Sequence, residues 1–209
     1  MNNMNGFGAP ARRVTLALAV AALFQAGSAL AALQLRDIAG NPTANTADAE
    51  FAYDPVLDAT WYLTGTNAGL NWDDARSWAA GLTVGTFSGW SLPAADETCV
   101  GFNCTNSQMG ELYYTALGNP QFGPLNTGPF KNLLSSVYWS GTEYASSPGY
   151  AWNFYTNIGY QNANYKFNVL YALAVRPGDV AAVPEPGTVA LLLSGLAGVM
   201  VMRRRPVGS

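Results

Sequence analysis

Apolar residues fall into three regimes along the 209-residue chain. Residues 14–24 (VTLALAVAALF) and 188–202 (TVALLLSGLAGVMVM) are nearly unbroken apolar runs. Between them the pattern is periodic. Trp72, Ala75, Ala79 and Leu82 recur at helical spacing and predict a helix over residues 71–81. Asn71 suits its N-cap, Asp73 and Asp74 suit the positive end of its dipole, and Gly81 suits the C′ position. Met109, Leu112, Tyr113, Ala116 and Leu117 predict a second helix over residues 106–118, stopped by Gly118. Gly110 inside it costs about 1 kcal/mol against Ala.

Short alternating runs predict strands at residues 60–64, 137–140, 151–156, 165–167 and 170–176, with a strand end and loop within 33–45. Asn157-Ile158-Gly159 is a turn signal, and Pro177-Gly178-Asp179 closes the domain. Two helices, several short antiparallel strands and long loops make the body α+β.

Charge separates the chain in the same way. Arg12, Arg13, Arg203, Arg204 and Arg205 supply half of the ten Lys and Arg, all at the ends. Residues 32–183 hold five cations against twelve acids, a net −7, although the whole chain is only −3. An acidic body lacks the clustered cations that nucleic acid requires. All six Trp and all eleven Tyr lie between Tyr53 and Tyr171. The chain has no His, which excludes His-based nucleophile systems and His-ligated zinc. Two Cys cannot close a zinc site alone. No cofactor and no metal site is expected.

Arg12 and Arg13 before residues 14–24, then small residues through Ala29 and Ala31, form a charged, apolar and A-x-A pattern. It predicts a signal peptide over residues 1–31 for the Sec machinery and signal peptidase, cut after Ala31 or after Ala29. Residues 187–202, 16 in all, reach about 24 Å as a helix, short of the ~30 Å hydrocarbon core. Arg203, Arg204 and Arg205 can snorkel to cover part of the gap and favour a cytoplasmic end. The prediction adds an N-terminal signal helix and a C-terminal transmembrane helix to the body.

Pro184, Glu185 and Pro186, followed by an apolar run and an Arg cluster, resemble the PEP-CTERM sorting signal over residues 184–209. The two prolines remove backbone donors and keep the segment extended, as a protease needs. The resemblance implies an exosortase-type protease as partner. It also implies transient anchoring in the inner membrane, then the cell surface or an exopolysaccharide matrix.

The body resembles the Lcl C-terminal domain family over residues 60–179, after a lead-in at 32–59 and before a linker at 180–183. The resemblance rests on Trp72, Ala75 and Trp78, Trp90-Ser91-Leu92-Pro93, Glu111-Leu112, Tyr138-Trp139-Ser140-Gly141-Thr142, Ala151-Trp152-Asn153-Phe154 and Ala174-Val175-Arg176. Trp90, Pro93, Trp139, Trp152 and Arg176 are its fold motif. It implies a fold similar to C-type lectins and formylglycine-generating enzymes. Ser91 stands where Arg is usual, and Gly141-Thr142 departs from the usual serines. Phe154 replaces the acid of the calcium-binding WND run, so calcium-dependent sugar binding is not expected.

Cys99 and Cys104 in an exported chain predict a disulfide closing a tiny loop. Flat rings stack on sugar faces, and Tyr144, Tyr150, Tyr155, Tyr160 and Tyr165, in an Asn-rich stretch read as loop, are the candidate ligand-binding residues. The Trp residues read as core. The main expectation is a non-enzymatic surface or matrix protein that binds extracellular polysaccharide or another surface component. A glycan-active enzyme using Glu111, Glu143 or Asp96, and a purely structural surface protein, are the alternatives.

Overall fold

A computed structural model describes residues 32–181 of the chain. In order, the elements are β1 (Gln34–Asp37), β2 (Ala49–Asp54), β3 (Ala59–Tyr62), α1 (Trp72–Gly81), β4 (Gly101–Phe102), α2 (Gln108–Gly110) with a π-helical continuation (Glu111–Ala116), β5 (Val137–Glu143), β6 (Tyr150–Tyr155), β7 (Tyr160–Tyr165) and β8 (Val175–Pro177). The body is α+β, with two four-stranded antiparallel sheets ordered β1-β2-β3-β8 and β4-β7-β6-β5. The lead-in expected at 32–59 supplies β1 and β2, which are hydrogen-bonded into the first sheet beside β3. The signal peptide and the transmembrane helix lie outside the described residues. Among the described residues, no helix is long and apolar enough to cross a membrane.

α1 starts as its sequence predicts: the Asn71 side chain accepts the Asp74 N–H at 2.9 Å. Trp72, Ala75 and Ala79 form its buried face. Its end differs. Gly81 is still helical, and Leu82 leaves with φ −66° while its N–H bonds to the Ala79 carbonyl. No left-handed residue is needed there, because the chain exits extended.

The helix expected over 106–118 is a short α turn followed by a π-helix. The Ser107 hydroxyl caps Gly110 N at 3.0 Å. From Met109 to Tyr113 five consecutive residues are buried. The buried run begins in the α turn with Met109 and Gly110 and continues through Glu111, Leu112 and Tyr113 of the π-helix, so the segment is enclosed on more than one face. Gly118, with φ +64°, ends the segment.

The strand expected over 170–176 is regular only in β8. Before it, the chain passes between the sheets: Ala172 and Ala174 carbonyls accept N–H groups of Thr66 and Tyr62, and Tyr171 exchanges bonds with Val137 and Trp139. Bonds on both flanks join the two sheets through this buried segment. The strand expected at 165–167 lies earlier, as β7. Its Asn- and Gln-rich residues read as loop, yet they pair with β6 from Tyr155↔Tyr160 to Tyr150↔Tyr165. Lys166 and Phe167 belong to the turn beyond.

Two apolar clusters fill the interior. One gathers Trp61, Leu63, Met109, Leu112, Phe154 and Leu173. The other gathers Phe51, Trp72, Ala79, Trp90, Trp139 and Ala174.

Candidate functional site

The five candidate tyrosines lie at strand ends and in the β5–β6 turn, not in one loop, and the structure divides them. Tyr150 and Tyr165 oppose each other across β6 and β7, with ring centroids 4.1 Å apart. Tyr165 then stacks on Phe167 at 5.0 Å and 21°. Tyr165 is 45% exposed and Phe167 72%, so the run is an open aromatic face. Tyr144 packs edge-on against Trp152 at 5.1 Å. A hydrogen bond with Tyr165 raises the pKa of the Tyr150 hydroxyl. Tyr155 and Tyr160 sit at the other end of the hairpin, where Tyr160 meets Phe102 at 4.7 Å. A six-residue strand separates the ends by about 17 Å. One ligand ring therefore touches only one of these groups.

A groove of about 580 Å³ runs along α1. Asp73, Arg76, Ser77, Trp90, Ser91 and Thr142 are among its lining residues. The Arg76 guanidinium lies 4.6 Å from the Trp72 ring, and Lys166 Nζ lies 4.3 Å from the same ring. Lys166 also pairs with Glu143. Thr142 Oγ1 accepts the Ala95 N–H, which leaves its own proton to donate. The groove thus offers a cation, a carboxylate and hydroxyls. Sequence reasoning missed it; the spacing of Asp73, Arg76 and Ser77 on the polar face of α1 was the available signal. Ser91, Gly141 and Thr142 also line it.

The fold-motif residues Trp90, Trp139 and Trp152 are 3%, 0% and 2% exposed and build the core. Trp90 also stacks on Phe51 at 5.6 Å. Pro93 is buried, and its carbonyl accepts the Gly141 N–H. Arg176 is half-buried over the Phe87 and Trp90 rings. Cys99 and Cys104 form a disulfide, and Gln161 Nε2 holds the loop by the Cys99 carbonyl at 2.6 Å.

The three candidate acids occupy different settings. Glu111 is 4% exposed and meets Asp54; burial, then the bond to Asp54, push its pKa up to about 8. Glu143 is ion-paired with Lys166. Asp96 Oδ1 accepts the Thr98 hydroxyl and N–H, which lowers its pKa. Among the described residues, no group of three or more Cys, Asp or Glu is placed to hold a metal ion.

Ala29, Ala31, Pro184, Glu185, Pro186, Arg203, Arg204 and Arg205 lie outside the described residues. Residues 182–205 match the PEP-CTERM protein-sorting motif, which spans the Pro-Glu-Pro and the Arg cluster. The motif implies an exported protein, processed by an exosortase and sorted to the cell surface. The match lies wholly in the tail and gives no support to the Lcl-like or lectin-like reading of the body. No curated protein matches the chain.

Proposed function

We propose that the body is a non-enzymatic, lectin-like module that binds extracellular carbohydrate at the cell surface or in a polysaccharide matrix. The observation that carries this reading is the Tyr150–Tyr165–Phe167 run, three neighbouring rings at one end of a hairpin whose second strand is rich in Asn and Gln. Flat exposed rings cost little conformational entropy and stack on the apolar faces of sugars. Asn164 and Asn168 beside them supply amide donors and acceptors for hydroxyls. Pairing of the first strands with the last in one sheet supports the lectin-like part of the reading.

The acids support the absence of catalysis. A glycosidase needs two carboxyls facing a shared site across roughly 5–9.5 Å. Glu111 is enclosed with Asp54, Glu143 is engaged by Lys166, and Asp96 shapes its own turn. Each has a structural task.

The test is a glycan array with a pull-down on the producer's own polysaccharide. Binding that disappears in a Tyr165→Ala/Phe167→Ala variant is the expected result. No binding by the folded wild-type protein to either would leave the purely structural reading in its place.

A further inference from the structure

The folded body holds the chain firmly up to the residue where the sorting segment starts. The Arg36 side chain is 7% exposed and grips Asp179 with two bonds, Nε to Oδ1 at 3.1 Å and Nη2 to Oδ2 at 2.7 Å. Asp179 Oδ1 also accepts the Ala181 N–H at 2.9 Å. Gly178 donates to the Asp58 carbonyl and accepts the Thr60 hydroxyl. Val180 is 2% exposed, within the second apolar cluster. Its carbonyl lies against Gly40, where an added Cβ would stand 2.3 Å from that oxygen. Gly40 belongs to the turn Asp37–Asn41, whose backbone is tied by bonds to the Asp37 carboxylate and carbonyl. Ile38 in that turn is 48% exposed.

The sorting match begins at residue 182, so only Ala182 and Val183 separate Ala181 from Pro184. Even fully extended, the chain from Ala181 reaches Pro184 in at most about 11 Å. A body of this size has a radius of gyration of about 15 Å. An enzyme holding Pro184–Pro186 is therefore forced against the body.

We propose that the exit edge, the turn Asp37–Asn41 with its exposed Ile38, is an interaction surface for the membrane-embedded processing protease, and that the Arg36–Asp179 pair is the latch that sets the spacing. Ile38 is two residues before Gly40, the turn residue that lies against the Val180 carbonyl, and it is the exposed apolar side chain of that turn. Opening the latch removes one of the holds on Gly178–Ala181, and each residue then released adds at most about 3.6 Å of reach. The inference rests on exosortase processing of the tail.

The experiment is a pulse-chase of the full chain in the producing cell, read as precursor converted to mature form. At native spacing, Ile38→Glu should slow conversion by about fivefold. A ten-residue Gly/Ser spacer inserted after Ala181 should restore the wild-type rate, and Arg36→Gln should restore part of it. Equal slowing with and without the spacer, or no slowing, overturns the proposal. So does loss of membrane retention of the precursor at an unchanged rate, which would turn the edge toward lipid. Pro184→Ala/Glu185→Ala is the separate control: normal conversion there rejects sorting through this motif, whatever Ile38→Glu does.

Discussion

Glu111 and Asp54 meet carboxyl to carboxyl inside the core. Asp54 is 0% exposed, and its Oδ1 accepts the N–H groups of Val56 and Leu57 in the β2–β3 turn. No donor from another described residue reaches Asp54 Oδ2 or either Glu111 oxygen. The bond between them therefore needs a proton, and burial keeps that proton on Glu111.

Stability should fall as pH rises from about 4.5 to about 8. Glu111 has its ordinary pKa of 4.5 in the unfolded chain and about 8 in the folded one. The folded state binds the extra proton between these values. Its stabilisation is complete below about 4.5 and lost as pH approaches 8, by at most about 1.4 kcal/mol per pH unit. The chain has no His and both Cys are bridged, so no other side chain among the described residues ordinarily titrates between pH 5 and 8. Glu111→Gln keeps a donor for Asp54 and should flatten the profile, leaving the variant more stable than wild type at pH 8. Urea denaturation across this range measures both.

Gly110→Ala should destabilise the fold by about 3 kcal/mol, despite the better helix propensity of Ala. A Cβ at Gly110 would stand 1.9 Å from the Cys104 carbonyl oxygen and 2.7 Å from the Ser107 hydroxyl. The close approach needs the bare backbone. A shifted urea midpoint for the variant is the measurement; a gain in stability would refute the packing argument.

Removing the Cys99–Cys104 bridge should cost about 2 kcal/mol, the small entropy of a loop closed five residues apart. Cys99→Ser/Cys104→Ser and reduction by thiol should shift the urea midpoint by the same amount. The Gln161 bonds to Asp96 and Cys99 should keep the loop in place.

Tyr165→Ala/Phe167→Ala should leave the melting temperature close to wild type, because both rings stand largely in solvent. Glycan affinity should fall at least about tenfold, or about 1.4 kcal/mol. Trp139→Ala, at 0% exposure, should instead unfold much of the protein, costing about 3–5 kcal/mol. Calorimetric melting beside glycan titration separates the two effects.

α1 was legible because its signals are local: Asn71 caps Asp74 three residues on, and Trp72, Ala75 and Ala79 share one face. Gly118 and the Asn157–Gly159 turn were legible for the same reason, both glycines taking positive φ. The second helix was not. Its periodicity described a regular α-helix, and only packing shows that residues 109–113 are all buried. The tyrosine pairs were also hidden. Tyr150 and Tyr165 are fifteen residues apart, and the β6–β7 register decides that they touch while Tyr155 and Tyr160 stand elsewhere.

The sequence by itself determined the charge segregation, the absence of imidazole chemistry and the sorting address, because each depends only on composition or on contiguous residues. The tertiary structure decided where groups distant in the chain come together. Glu111 is set against Asp54 across 57 positions, and Arg36 grips Asp179 across 143. Such contacts depend on how helix, strands and the chain end pack together, and residue spacing along the chain carries no record of that packing.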